Sequence, residues 1–314
     1  MFSFLPAPIV GLFVWTAIVL NTLIFVPMVL VVSAVRLLIP IRNWQVLCTR
    51  IAIGIAGIWI NVNSILMVLF HPMHWHVEGL EALNRNQWYF VISNHQIWAD
   101  IFVSQHLLNG RVPMLKFFLK QELIWVPLMG LCWWALDFPF MKRYSKAYLA
   151  KHPEKRGKDH ESTKRACEKF QFTPVAVMNY MEGTRLTAAK HEKQESPFRY
   201  LLKPKAGGMG HALGAMNGSI KTLLDITIFY PNHTQPSFID FLCGRVDRLC
   251  IRIEEKPIPA KYLAGNYAED PDFRTEFQQW VTALWKDKDQ TMVELHGISR
   301  QKGWSMDENA VDDA

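Results

Sequence analysis

The first 35 residues carry no charged side chain; Arg36 is the first. A chain with such a start must place a long apolar segment either in a core or in lipid. Ile9 to Val35 is long enough to cross a bilayer as a tilted helix, since ~20 apolar residues suffice. Asn21 and Pro27 lie inside it and also permit a bent or re-entrant form. A second uncharged run, Ile51 to Phe70, follows a connector carrying Arg36, Arg42 and Arg50. The positive-inside tendency places that connector in the cytosol, and two full spans would then put residues 71 onward outside. A re-entrant pair dipping into one leaflet keeps everything on one face, and this is the expected form of residues 1–72. A cleaved signal peptide fits poorly, because no basic segment precedes the apolar run.

The remaining chain is long enough for one large α/β domain, expected over 73–295, with a disordered acidic tail over 296–314. Five cysteines, Cys48, Cys132, Cys167, Cys243 and Cys250, form no C-x-x-C pair, which fits ordinary buried thiols in a reducing compartment. His71, His74 and His76 lack a fourth ligand at suitable spacing, so no metal site is expected.

Chemistry concentrates at Trp88–Asp100. The apolar, β-branched run Trp88 to Ile92 reads as a short buried strand. It stops at Ser93-Asn94, residue types that favour turns and caps. His95 thus sits where a strand hands over to a helix, and Asp100 follows five residues later. Strand-end loops are where α/β proteins carry function. An Asp100 carboxylate accepting from one His95 nitrogen would leave the other free to take a proton from a hydroxyl.

Upstream, Trp75 to Leu83 resembles a first strand and turn. Downstream, Ile101 to Asn109 reads as a helix closed by Gly110. The uncharged run Leu123 to Leu136 is too short to span; a core helix, an interfacial helix and the wall of an acyl-chain tunnel remain open. From Lys142 to Lys169, ten Lys/Arg face four Asp/Glu, a local +6 that equals the net charge of the whole chain. That stretch is either a solvated surface or a patch for anionic lipid or an acidic carrier. Nucleic acid is disfavoured, since the aromatics sit in apolar runs and do not alternate with the basic residues.

Pro174 to Met181 reads as a second buried strand, followed at once by Glu182-Gly183-Thr184-Arg185. A guanidinium, a hydroxyl and a backbone freed by glycine suit a phosphate. Lys203-Pro204-Lys205-Ala206-Gly207-Gly208 is another basic loop. Further strands are expected at Leu223–Tyr230 and, at a sheet edge, Arg245–Glu255, then an amphipathic helix at Asp272–Lys286. No G-x-S-x-G elbow, phosphate-binding P-loop, dinucleotide fingerprint or internal repeat is present.

Asn94-His95-Gln96-Ile97-Trp98-Ala99-Asp100, the Phe-x-Lys-Arg element at 140–143 and Glu182-Gly183-Thr184-Arg185, in this order, resemble the glycerolipid acyltransferase family. Its best-known members are 1-acylglycerol-3-phosphate acyltransferases. Leu186-Thr187 through Lys190-His191, with Leu201 to Gly207, resembles the branch of the lysocardiolipin and related lysophospholipid acyltransferases. The resemblance implies an α/β fold, a mostly parallel sheet flanked by helices, with an N-terminal helical membrane motif. It implies acyl transfer from acyl-CoA or acyl-carrier protein, as co-substrate, to a lysophospholipid hydroxyl, with no further cofactor. His95 would be the base and Asp100 its partner. Asn94, Lys142, Arg143, Glu182, Gly183, Thr184, Arg185 and Lys205 would bind substrate. Where the family's fourth motif places a proline in an apolar strand, this sequence has Leu224-Asp225-Ile226, and Pro231 comes late. A membrane location with the catalytic domain facing the cytosol (the inner membrane in a bacterium) is implied. A CoA-independent transacylase, a non-catalytic lipid-binding protein of the same fold and a lipid hydrolase are the alternatives.

Overall fold

The computed structural model describes residues 6–71, 73–141, 152, 170, 173–216, 218–231, 236–263, 265–267 and 269–304. Helix α1 (Ala7–Leu38) and helix α2 (Arg42–Phe70) form a hairpin joined by three residues. Both are long and apolar enough to cross a membrane. The hairpin is nonetheless fastened along its length to the rest of the protein. Near the start of α1, Val10 and Val14 pack with Leu242. Midway, Val26, Val29, Ala52 and Ala56 join the main core. At its end, Arg36 pairs with Asp137 at 3.0 Å. The other side of the hairpin leaves Leu12, Phe13, Trp15, Ile24, Ile58 and Val68 exposed.

Strand β1 (His74–Glu78) includes two of the three clustered histidines. Gly79 ends it at φ +86°, where a Cβ would come within 1.9 Å of the Ile253 carbonyl oxygen. Strand β2 (Tyr89–Ser93) is buried at every residue, as an apolar run covered on both faces must be. Helix α3 (Ala99–Leu108) follows. Leu115–Phe117 is a short strand, β3, that the apolar block had concealed. Leu119–Lys120 (β4) pairs with Phe140–Met141 (β5) and closes an excursion. Within it lie a 3-10 turn (Gln121–Trp125) and helix α4 (Met129–Ala135). Cys132 and Ala135 are buried in the core, whereas Trp125 is 85% exposed and Leu131 and Trp134 about half exposed. This excursion is therefore half core and half an outward apolar face beside α1.

Strand β6 (Ala176–Tyr180) is followed by helix α5 (Ala188–Lys193) and helix α6 (Gly207–Met216). Strand β7 (Thr222–Phe229), helix α7 (Phe238–Leu242) and strand β8 (Arg248–Pro257) follow in turn. The six-stranded sheet runs β1-β8-β7-β2-β6-β3. β7, β2, β6 and β3 are parallel; β8 is antiparallel to β7, and β1 is parallel to β8. The strand expected at an edge, β8, lies inside the sheet, because β1 returns to cover it.

Helix α8 (Pro271–Gln301) starts with an Asp270 cap that accepts from the Asp272 and Phe273 N–H groups at 3.0 Å each. It runs well past Lys286 and through residue 296, where a disordered tail was expected. Phe277, Val281, Leu284, Trp285, Met292 and Leu295 are buried at helical spacing, and that stripe continues where the charge pattern suggested an end. The hairpin, α3 and α4 cover one face of the sheet; α6 and α8 cover the other.

Candidate active site

Parallel strands β2 and β6 end in register, Ser93 beside Tyr180, with Ile226 of β7 on the other side. Loops leaving the carboxyl ends of such strands line the crevice where α/β folds bind ligands. Asn94 comes first after β2. Its carboxamide accepts from the Ile228 N–H at 2.9 Å and donates to the Ile228 carbonyl at 2.8 Å. This side chain substitutes for one more rung of the β2–β7 ladder. At 1% exposure it holds the loop against β7.

His95 Nδ1 lies 2.8 Å from Asp100 Oδ2. The same oxygen accepts from the Gln96 and Ile97 N–H groups at 2.7 and 3.0 Å. Oδ1 accepts from the Tyr230 hydroxyl at 2.7 Å. With both oxygens of Asp100 acting as acceptors, the proton of the shared bond belongs to His95 Nδ1, and Nε2 presents its lone pair. The imidazole also stacks on the Tyr180 ring, with centroids 4.0 Å apart and planes 18° from parallel. Burial and the Asp100 charge hold the Tyr180 and Tyr230 phenols well above their ordinary pKa, so both remain neutral hydroxyls.

The Glu182–Arg185 loop reaches the same place. The Leu186 N–H donates to the His95 carbonyl at 2.8 Å and so ties the two loops together. The Arg185 guanidinium lies over the Trp98 ring, 5.1 Å from its centroid. Gly183 has φ +67°, and a Cβ there would come 3.2 Å from Lys205 Nζ, so its missing side chain is where the Lys205 side chain rests. Lys190 Nζ donates to Thr184 Oγ1 at 2.8 Å and to the Arg185 carbonyl at 3.0 Å. Arg185, Lys190 and Lys205 thus surround one short loop. Lys142 and Arg143 lie outside the described residues.

Glu182 itself is 1% exposed. Burial pushes its pKa well above the ordinary carboxylate range, while the Lys288 charge, the His95 N–H and Lys190 oppose that rise. Its carboxyl group is therefore buried at the end of β6, behind the cationic rim. Trp98, Tyr180, Lys190 and Tyr230 were not singled out from the sequence. Only Lys190, in a run shared with the lysophospholipid branch, carried a usable signal.

In this geometry an imidazole with a free nitrogen and a fixed tautomer adjoins a cationic rim. It can take a proton from a hydroxyl carried by an anionic molecule. A family model described as Acyltransferase matches residues 74–242. The 1-acyl-sn-glycerol-3-phosphate acyltransferase gamma of Mus musculus is 27% identical over 68% of this chain and 54% of its own length. The 2-acyl-1-lysophosphatidylinositol acyltransferase of Saccharomyces cerevisiae is 24% identical over 64% of this chain and 59% of its own. The chain thus spans little more than half the length of the curated relatives it matches. Among solved structures, the 1-acyl-sn-glycerophosphate acyltransferase of Thermotoga maritima superposes with a TM-score of 0.52. It covers 88% of this chain and 95% of its own at 16% identity, a likeness of fold.

Proposed function

This chain belongs to the acyltransferase family, and from that premise we propose that it moves a fatty acyl group from a thioester to the free hydroxyl of a lysophospholipid. The acceptor is 1-acylglycerol-3-phosphate or a close relative; the donor is acyl-CoA or acyl-carrier protein, used as co-substrate. His95 Nε2 takes the hydroxyl proton as the oxygen attacks the thioester carbonyl. The tetrahedral adduct then collapses, the carbon–sulfur bond breaks, and the leaving thiolate recovers that proton from the imidazolium. Asp100 keeps the ring in the required tautomer and balances its transient charge. Arg185, with Lys205 and Lys190, meets the acceptor's phosphate, where a guanidinium offers bidentate contact.

Both substrates are amphiphiles, so the site has to work at a bilayer surface. Attachment at the start, middle and end of α1 supports a hairpin lying beside the domain in one leaflet, with the active site on the cytosolic side. A helix crossing the bilayer upright would carry those anchor points out of the domain's reach. The exposed tryptophans at 125 and 134 suit the headgroup region.

The observation that carries the reading is the joining of two loops some ninety residues apart. The loop of the His95–Asp100 pair is bonded to the end of the phosphate-suited Glu182–Arg185 turn by the Leu186 N–H, which donates to the His95 carbonyl. The test is incubation of the purified protein with a panel of lysophospholipids and acyl donors, read by mass spectrometry. Acceptor-dependent diacyl product is expected. Free fatty acid released at the same rate without acceptor would make the protein a hydrolase.

A further inference from the structure

On the face of the sheet opposite His95 stands a lysine with 0% exposure, Lys288 of α8. It lies beyond the 74–242 region that the family model matches. Its Nζ donates to the Ile226 carbonyl at 2.7 Å and to Thr227 Oγ1 at 3.2 Å, and forms an ion pair with Asp225. The other Asp225 oxygen accepts from Lys256 Nζ at 3.1 Å. Asp225 stands where the family resemblance leads one to expect a proline, so the strand's departure from that motif has a partner in α8. A buried ion pair is often no more stable than an apolar pair of the same volume. Stability alone is a poor reason for burying an ammonium here.

What Lys288 holds is the mounting of the active site. It grips β7 at residues 225–227. The next residue, Ile228, is bonded through both backbone groups to Asn94, and its carbonyl also accepts from Gln96 Nε2 at 3.2 Å. Two residues on, the Tyr230 hydroxyl supports Asp100. Both neighbours of His95 and its carboxylate partner therefore hang from the stretch that Lys288 fixes. Glu182 Oε2, buried, has no hydrogen-bond partner among the described residues, and the Lys288 charge is the largest influence opposing its desolvation.

We propose that Lys288 is a positioning residue for the proposed acyl transfer: its buried Nζ fixes β7 at residues 225–227, and through Ile228 and Tyr230 that stretch holds the His95 loop and Asp100 in place. The charged groups around Lys288 are Asp225, Lys256 and Glu182.

The inference rests on the proposed reaction, and the test separates the two. Lys288→Met/Asp225→Asn removes both charges of the pair and strands neither; Lys288→Arg keeps the charge. Each is compared with wild type by thermal melt, vesicle sedimentation, and kcat and KM for 1-acylglycerol-3-phosphate. A substrate-free measurement accompanies them: the rate at which diethyl pyrocarbonate modifies His95, mapped by mass spectrometry. The folded double variant should lose on the order of 10-fold or more in kcat, since small misplacements are costly, with a smaller change in KM. Lys288→Arg should recover most of that loss, and the His95 modification rate should change in the double variant alone. Wild-type turnover bears on the reaction itself; the His95 modification rate bears on positioning even if another acceptor is the true one. A folded double variant with wild-type kcat and His95 reactivity would overturn the proposal.

Discussion

The two faces of the sheet carry polar groups of similar kind and treat them differently. Beneath the apolar hairpin, Asp100 gathers His95, Tyr230 and two backbone N–H groups, and His95 Nε2 takes no part in that network. Beneath α8, Asp225 gathers Lys288 and Lys256, and Lys288 has no exposure at all. Both arrangements bury a carboxylate and a basic group. In the first, one imidazole nitrogen takes no part in the network; in the second, Lys288 and Asp225 are fully buried and satisfied by each other and by β7, with Lys256 at the rim. The contrast teaches that a buried pair marks chemistry only where one of its atoms has an unfilled role facing a site that a substrate can enter. The closed pair marks what holds that site.

If the open network is the reactive one, His95→Ala should have the largest effect. Removing a general base costs ~10²–10⁴-fold in turnover, while sedimentation with vesicles should stay as in wild type, because the hairpin is untouched. Asp100→Asn comes next. An amide can donate to Nδ1 and so permits the wrong tautomer, and a kcat loss of ~10²-fold or more is expected. A fall in stability of about 1–3 kcal/mol should accompany it from disrupting buried hydrogen bonds, read by denaturant titration. A wild-type kcat in this variant would erase the distinction between the faces.

Arg185→Ala should act on binding. We expect KM for the lysophospholipid to rise roughly 10-fold with kcat changed much less, the pattern of lost uniform binding. An unchanged KM would remove Arg185 from the phosphate site. The smallest effect belongs to Trp125→Ala/Trp134→Ala. Their side chains face outward beside α1, so vesicle affinity should fall a few-fold while turnover in detergent holds. Equal loss in both assays would mean that these residues serve the fold.

Much of this layout was legible in the sequence, and the illegible part has a common cause. The buried strands around Phe90 and Val177 show as apolar runs bounded by polar turns, and His95 and Glu182 fall at their ends. The hairpin shows as uncharged length. What failed required long-range register. Arg248–Pro257 alternates like an edge strand, yet β1 covers it from far upstream. Leu115–Phe117 is too short to separate from the apolar block around it. Lys288 reads as a surface charge between Asp287 and Asp289, and only helix phase against β7 turns it inward. Tyr230 gave no signal, since its partner Asp100 lies 130 residues away. The ladder-like bonds of Asn94 to Ile228 gave no signal either, because they depend on β7 lying next to β2.

The central claim, that His95 promotes direct attack of an acceptor hydroxyl on a thioester, is tested most directly by supplying labelled acyl-CoA or acyl-carrier protein with and without 1-acylglycerol-3-phosphate. The account predicts no label on the protein and no thioester loss until the acceptor is added, then one thiol released for each diacyl product. Stoichiometric acylation of the protein, or thiol release that ignores the acceptor, would contradict it.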